Sequence, residues 1–175
     1  LQIQKSRKLD ITEEVYFKII NQKTASLIAA CCAIGAKSVN SSSSIVSEFY
    51  KIGESIGMAF QIKDDLFDYG EEKIGKPLGI DIKERKMTLP LIYAINNSTF
   101  SERQEIKNIV KNFNKDRKKV NQLIQLVKDK GGLDFAKARM EDYQKKALKL
   151  LFEFPKSEYR DALERMVGFV IERKI

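Results

Sequence analysis

Asp64, Asp65 and Asp68 close an otherwise apolar segment, Ile56-Gly57-Met58-Ala59-Phe60-Gln61-Ile62, and Gly70 follows them. The apolar run reads as a helix buried among other helices, with Gly70 as its C-terminal stop. Three carboxylates therefore crowd a helix end where the backbone dipole is already negative and disfavours anions. A divalent cation would relieve both problems, because hard cations take carboxylate oxygens as ligands.

Gly53, Gly57, Gln61, Asp64 and Asp68 follow one another at steps of four, four, three and four, so they share one stripe of that helix. Ile45, Phe49, Ile52, Ile56 and Phe60 fall on a neighbouring face and read as core. The stripe runs from small at the glycines, through an amide at Gln61, to anionic at its C-terminal end. A ligand with an apolar tail and a metal-bound polyanionic head suits that gradient. The blander reading is that the glycines allow close helix packing and the acids face water, since short motifs match by chance often.

Cations join this pattern. Lys23 falls on a helical line through Tyr16, Ile20, Leu27 and Ile34, and a lysine among core residues is rare unless paired. Either it snorkels along the helix or it offers a cation to a cavity. Lys76 and Lys86 sit in a Gly- and Lys-rich stretch after the aspartates. Magnesium characteristically binds few carboxylates and completes its shell with phosphate and water oxygens. Lysine ammoniums neutralise charge that develops on a departing phosphate group. There is no histidine, and no serine or cysteine stands in a nucleophile elbow. The chemistry expected is electrostatic, not covalent.

The elements that must carry these residues are helices. The 175 residues are 43% hydrophobic and 32% charged, with three prolines, and helix formers run between short breaks; this is an all-α chain of one domain's length. Capping and periodicity predict helices over 12–36, 44–69, 88–96, 101–113, 116–130, 133–152 and 157–173, with 70–87 irregular. The charge of +8 is uneven: residues 101–130 hold nine Lys/Arg against four Asp/Glu. That segment reads as a solvated face, with a nucleic acid or anionic membrane as the alternative. Cys31 and Cys32 lack the histidines or further cysteines of a zinc site and read as reduced, buried thiols. The apolar stretch from Ala25 to Ala36 is too short to span a bilayer, so no transmembrane segment is expected.

At these residues the sequence resembles the trans-isoprenyl diphosphate synthases, or polyprenyl synthetases. Phe60-Gln61-Ile62-Lys63-Asp64-Asp65-Leu66-Phe67-Asp68 is similar to their second aspartate-rich motif. Gly75-Lys76 to Gly79-Ile80-Asp81 and Lys86-Met87-Thr88-Leu89-Pro90 are similar to the loop and helix start behind it, and Lys23-Thr24-Ala25 to the family's Lys-Thr-Ala helix. The resemblance implies an antiparallel helical bundle of the isoprenoid synthase type around a deep cavity, cytoplasmic and homodimeric. It implies magnesium-assisted ionisation of an allylic prenyl diphosphate and attack on the resulting cation by isopentenyl diphosphate. Carried over by position, Asp64, Asp65 and Asp68 would hold Mg2+. Lys23, Lys76 and Lys86 would hold diphosphate, while Thr24 and Gln61 would turn their dipoles toward the nascent cation.

The family also has a first DDxxD, and no second such motif occurs in this sequence. The chain, which opens with Leu1, is therefore expected to be the C-terminal half of one polyprenyl synthetase domain (1–175), holding half of the metal cluster and inactive alone. A terpene cyclase would want Ser or Thr at Asp68, with Glu at Glu72; the Glu is present and the hydroxyl is not. A non-catalytic partner subunit would tend to lose the aspartates. A basic nucleic-acid or lipid module through 101–130 has Phe113 alone as an aromatic for stacking, so no nucleic-acid partner is expected.

Overall fold

A computed structural model describes residues 11–70 and 78–173. Among them every regular element is helical, with no strand. In chain order they are α1 (Glu13–Ile20), a π-helical turn (Asn21–Ala25), α2 (Ser26–Ser38), α3 (Ser43–Phe67), α4 (Ile80–Lys83) and α5 (Leu89–Asn96). Then come α6 (Phe100–Asn112), α7 (Arg117–Asp129), α8 (Gly132–Leu151) and α9 (Glu158–Glu172). The described residues group into two compact units, one of 11–19 and 64–137, the other of 20–63 and 138–173.

Helix ends sit within a residue or two of the sequence expectation, and residues at the expected starts cap three of them. Thr12 accepts from the Val15 amide, Asp116 from Lys118 and Lys119, and Ser157 from Arg160. At α6 the helix starts at Phe100, one residue before the expected start, and its cap is Thr99. Its hydroxyl accepts from the Glu102 amide while the Glu102 carboxylate accepts from the Thr99 amide, a reciprocal box that satisfies two otherwise orphaned donors.

In the unit of 11–19 and 64–137, α5 is buried almost all round through Leu89, Leu91, Ile92, Ala94 and Ile95. It packs against α6 and α7, which bury Ile106, Ile109 and Val110, and Val120, Leu123, Ile124 and Val127. Each such side chain stabilises by about 1.5–3 kcal/mol relative to exposure. Tyr93 stacks on Phe135 at 4.3 Å between ring centroids. Val120 and Ile124 of this wall lie beside Gly79.

In the unit of 20–63 and 138–173 the core is built from Ala25, Ala29, Ile52, Ile56, Ala59, Met140, Ala147, Leu151 and Val167. The face expected of α3 is half realised: Ile52 and Ile56 are buried, whereas Ile45, Phe49 and Phe60 are partly exposed. Phe60 lies under the Arg173 guanidinium, 3.8 Å from its centroid, and Arg173 also donates to the Phe60 carbonyl at 3.2 Å.

Three expectations are corrected. The predicted line Tyr16, Ile20, Leu27, Ile34 does not stay on one face: Leu27 is 68% and Ile34 66% exposed. The buried line is Tyr16, Ile20, Ala25, Ala29 and Ala36, with a five-residue step where the π turn inserts one extra residue and rotates α2 about the helix axis. The cysteines are free but not buried; Cys31 is exposed and Cys32 partly so. Finally, the whole helical run from Glu13 to Ser38 is long and apolar enough to cross a bilayer by length and composition, so the shortness of Ala25–Ala36 does not decide that question. A core helix passes the same test.

Candidate functional site

α3 ends at Phe67, so Asp64 and Asp65 occupy its last turn and Asp68 lies just beyond it. The chain leaves the helix through tightened bonds, with the amides of Asp68, Tyr69 and Gly70 donating to carbonyls three residues back. Gly70 takes the left-handed conformation (φ 76°) expected of a helix stop. That tightening takes Asp68 off the regular α-helical stripe shared by Gly57, Gln61 and Asp64.

Each aspartate has its own surroundings. Asp64 and Asp65 are half-buried. Asp65 accepts from the Tyr16 hydroxyl at 2.7 Å, and Tyr16 is itself buried. Burial, followed by the Asp65 charge and hydrogen bond, holds the Tyr16 phenol well above its usual pKa, so it stays a donor. Asp68 is buried and turned into the loop after α3, accepting from the amides of Ile80 at 2.6 Å and Asp81 at 3.1 Å. Burial and then the Asp81 charge push its carboxyl up to about 6, against the pull of those amides. Gly79 makes the turn possible. Its φ is 73°, and a side chain there would collide with Val120.

Downstream, Lys86 bonds Asp81 at 3.0 Å and Glu84 at 2.6 Å. Burial alone would lower the Lys86 pKa, but the hydrogen bonds to Glu84 and Asp81 outweigh it and the net shift is upward. The ammonium is therefore charged and already engaged. The buried Tyr69 and Thr88 hydroxyls share a hydrogen bond of 2.5 Å. Lys76 lies outside the described residues, as do Glu72 and Gly75.

In the other unit, Thr24 donates its hydroxyl hydrogen to the Gln61 side-chain carbonyl at 2.6 Å. Gln61 is buried, Thr24 half-buried and Lys23 exposed. Lys23 makes no ion pair among the described residues. Thus Thr24 meets Gln61, Tyr16 meets Asp65, and Asp68 meets the Gly79–Asp81 turn. Among the described residues no three acidic or cysteine side chains converge as a ready metal cage. Sequence reasoning missed the Tyr16–Asp65 bond, the Asp81–Lys86 pair and an Asn21–Glu54 hydrogen bond of 2.8 Å. By spacing Tyr16 is a core residue only, and no local pattern announces a partner 49 residues away.

The polyprenyl synthetase profile matches residues 1–127. The chain belongs to the polyprenyl synthetase family. Among relatives of this polyprenyl synthetase chain, a short chain isoprenyl diphosphate synthase of Methanothermobacter thermautotrophicus is 36% identical over 169 residues, covering 95% of this chain and 51% of that protein. Octaprenyl diphosphate synthase of Escherichia coli is 30% identical, covering 99% and 54%. Among solved structures, geranylgeranyl pyrophosphate synthase from Bacteroides thetaiotaomicron superposes with a TM-score of 0.90 at 40% identity, over 98% of this chain and 57% of that one. A Caulobacter crescentus polyprenyl synthase complexed with calcium and isoprenyl diphosphate gives 0.90 at 32% identity, over 99% and 54%. The all-α isoprenyl synthase fold expected from the sequence is therefore the fold observed. The chain spans about half the length of the curated relatives it matches.

Proposed function

We propose that this chain carries the second-aspartate-motif half of a trans-prenyltransferase that joins an allylic prenyl diphosphate to isopentenyl diphosphate. The observation that carries the reading is the placement of Asp64 and Asp65 in the last turn of α3, half-exposed, with Asp65 held by a buried phenol. Such a donor set suits Mg2+, which binds one or two carboxylates and keeps its other positions for water and substrate phosphate. Asp64 is the principal ligand in this reading, with Asp65 supporting it directly or through water. Asp68, whose oxygens receive two backbone amides, contributes chiefly by fixing the loop. When bound, the metal supplies charge neutralisation on the diphosphate that departs.

Lys23 and Lys76 hold the allylic diphosphate as point charges, and Lys86 adds a nearby cation whose direction Asp81 and Glu84 set. Thr24 and Gln61, bonded to each other, offer oxygen dipoles that stabilise positive charge on an allyl cation after ionisation. The sequence holds one DDxxD, so the chain contributes half of the metal cluster and does not turn over alone. Assignment to one synthase domain, a homodimer and a cytoplasmic setting belong to the same proposal. The relatives' names and the calcium and isoprenyl diphosphate of the Caulobacter complex support the prenyl-diphosphate part of this reading.

Calorimetric titration of this chain with geranyl diphosphate, with and without Mg2+, tests the reading. Binding should strengthen at least tenfold with Mg2+, and Asp64→Ala should remove that gain while leaving helicity unchanged. Equal affinity in EDTA, or a magnesium gain that survives Asp64→Ala, overturns it.

A further inference from the structure

We propose that the π-helical turn Asn21–Ala25 is the device that presents Lys23, and that Asn21 and Glu54 are positioning residues that hold it open. The inference rests on the reading of Lys23 as a diphosphate-binding cation. It adds what sets that cation's direction.

The wide turn is visible in the backbone. The Ser26 amide donates to the Asn21 carbonyl, five residues back, instead of to Gln22 four residues back. The Ser26 hydroxyl reaches the Gln22 carbonyl that this leaves behind, at a long 3.5 Å. Such single π turns are rare inside α-helices and concentrate at functional sites. Nothing in the segment forces one: Asn21-Gln22-Lys23-Thr24-Ala25 has no proline or glycine, and these residues are compatible with regular α-helix.

Three contacts with α3 hold the turn. At its start, the Asn21 amide donates to the Glu54 carboxylate at 2.8 Å. At its end, the Thr24 hydroxyl donates to Gln61 at 2.6 Å. Between them Ala25, fully buried, sits against the backbone of Gly57, where an added Cβ would lie 2.5 Å from the Ala25 Cα. If Asn21 released Glu54, the turn could relax to α-helix. The residues before Ala25 would then rotate by about 100° relative to α2, carrying Lys23 round the helix. Held as it is, the turn leaves Gln22 and Lys23 exposed while Ile20 and Ala25 are buried on either side.

The test titrates inorganic pyrophosphate, with Mg2+ present, into the full 175-residue chain and into Lys23→Ala, Asn21→Ala, Glu54→Ala, Glu54→Gln and the Asn21→Ala/Glu54→Ala double variant. Lys23→Ala should weaken pyrophosphate tenfold or more. Asn21→Ala and Glu54→Ala should each weaken it by roughly three- to tenfold, and the double variant no further, since both remove one bond. Glu54→Gln, which keeps an acceptor oxygen, should stay within twofold of wild type. Amide hydrogen exchange over 21–29 should quicken in the two alanine variants and not in Glu54→Gln. A merely structural latch would lower the urea midpoint and leave pyrophosphate affinity unchanged. Glu54 is half-exposed, so its variants fold even where Asn21→Ala does not. If Lys23→Ala weakens binding and both Glu54 variants match wild type, the positioning role is wrong while the diphosphate reading stands. If Lys23→Ala itself has no effect, both fall.

Discussion

Tyr16 and Asp65, 49 residues apart, are joined by a 2.7 Å hydrogen bond in which the buried phenol donates to the carboxylate. This bond ties α1 to the last turn of α3 and fixes one member of the aspartate motif. Tyr16→Phe keeps the ring and removes the donor. A hydrogen bond to a charged group contributes about 1.5–3 kcal/mol, so urea unfolding should show a loss in that range. An unfolding curve that superposes on wild type would mean that water satisfies Asp65 equally well.

Asp68 should make stability fall as pH rises through mild acidity. Its folded carboxyl titrates near about 6 against an ordinary 3.8, so between those values the folded chain keeps a proton that the unfolded chain has released. Stability from this group is therefore fullest below 3.8 and declines as pH passes through 6. The full decline is on the order of 3 kcal/mol. In Asp68→Asn the group cannot titrate, so the wild-type-minus-variant stability difference should drop across about pH 4–6. A flat difference would show that Asp68 ionises normally.

Gly57→Ala sets two effects against each other. Alanine gains about 1 kcal/mol of helix propensity over glycine. The new Cβ would lie 2.5 Å from the Ala25 Cα, and backbone cannot swing aside, so overpacking of about 1–3 kcal/mol or more should win. Thermal denaturation should show a lower Tm; a raised one would mean the two helices have room to part.

Thr88→Val should leave the fully buried Tyr69 hydroxyl without its partner, at a cost of about 1–3 kcal/mol. Adding Tyr69→Phe removes the orphaned group, so the double variant should recover part of the loss in chemical denaturation. A double variant that loses the sum of both single changes would argue against the pairing.

Helix-forming composition, the helix starts and the glycine stop could be read directly from the chain, because each acts within a few residues of itself. So could the run DDLFD at a helix end and its likeness to a polyprenyl synthetase motif. The division of labour inside that motif could not. Asp64, Asp65 and Asp68 are the same residue type at helical spacing, and only folding gave Asp65 a phenol and turned Asp68 onto the amides of Ile80 and Asp81. The exposure of Lys23 was likewise hidden. Periodicity assumes a constant 3.6 residues per turn, and one π turn, held by Asn21–Glu54 and Thr24–Gln61, shifts the register of every later residue in the helix. Local preference decides that a segment is helical; contacts distant in sequence decide where each of its side chains points.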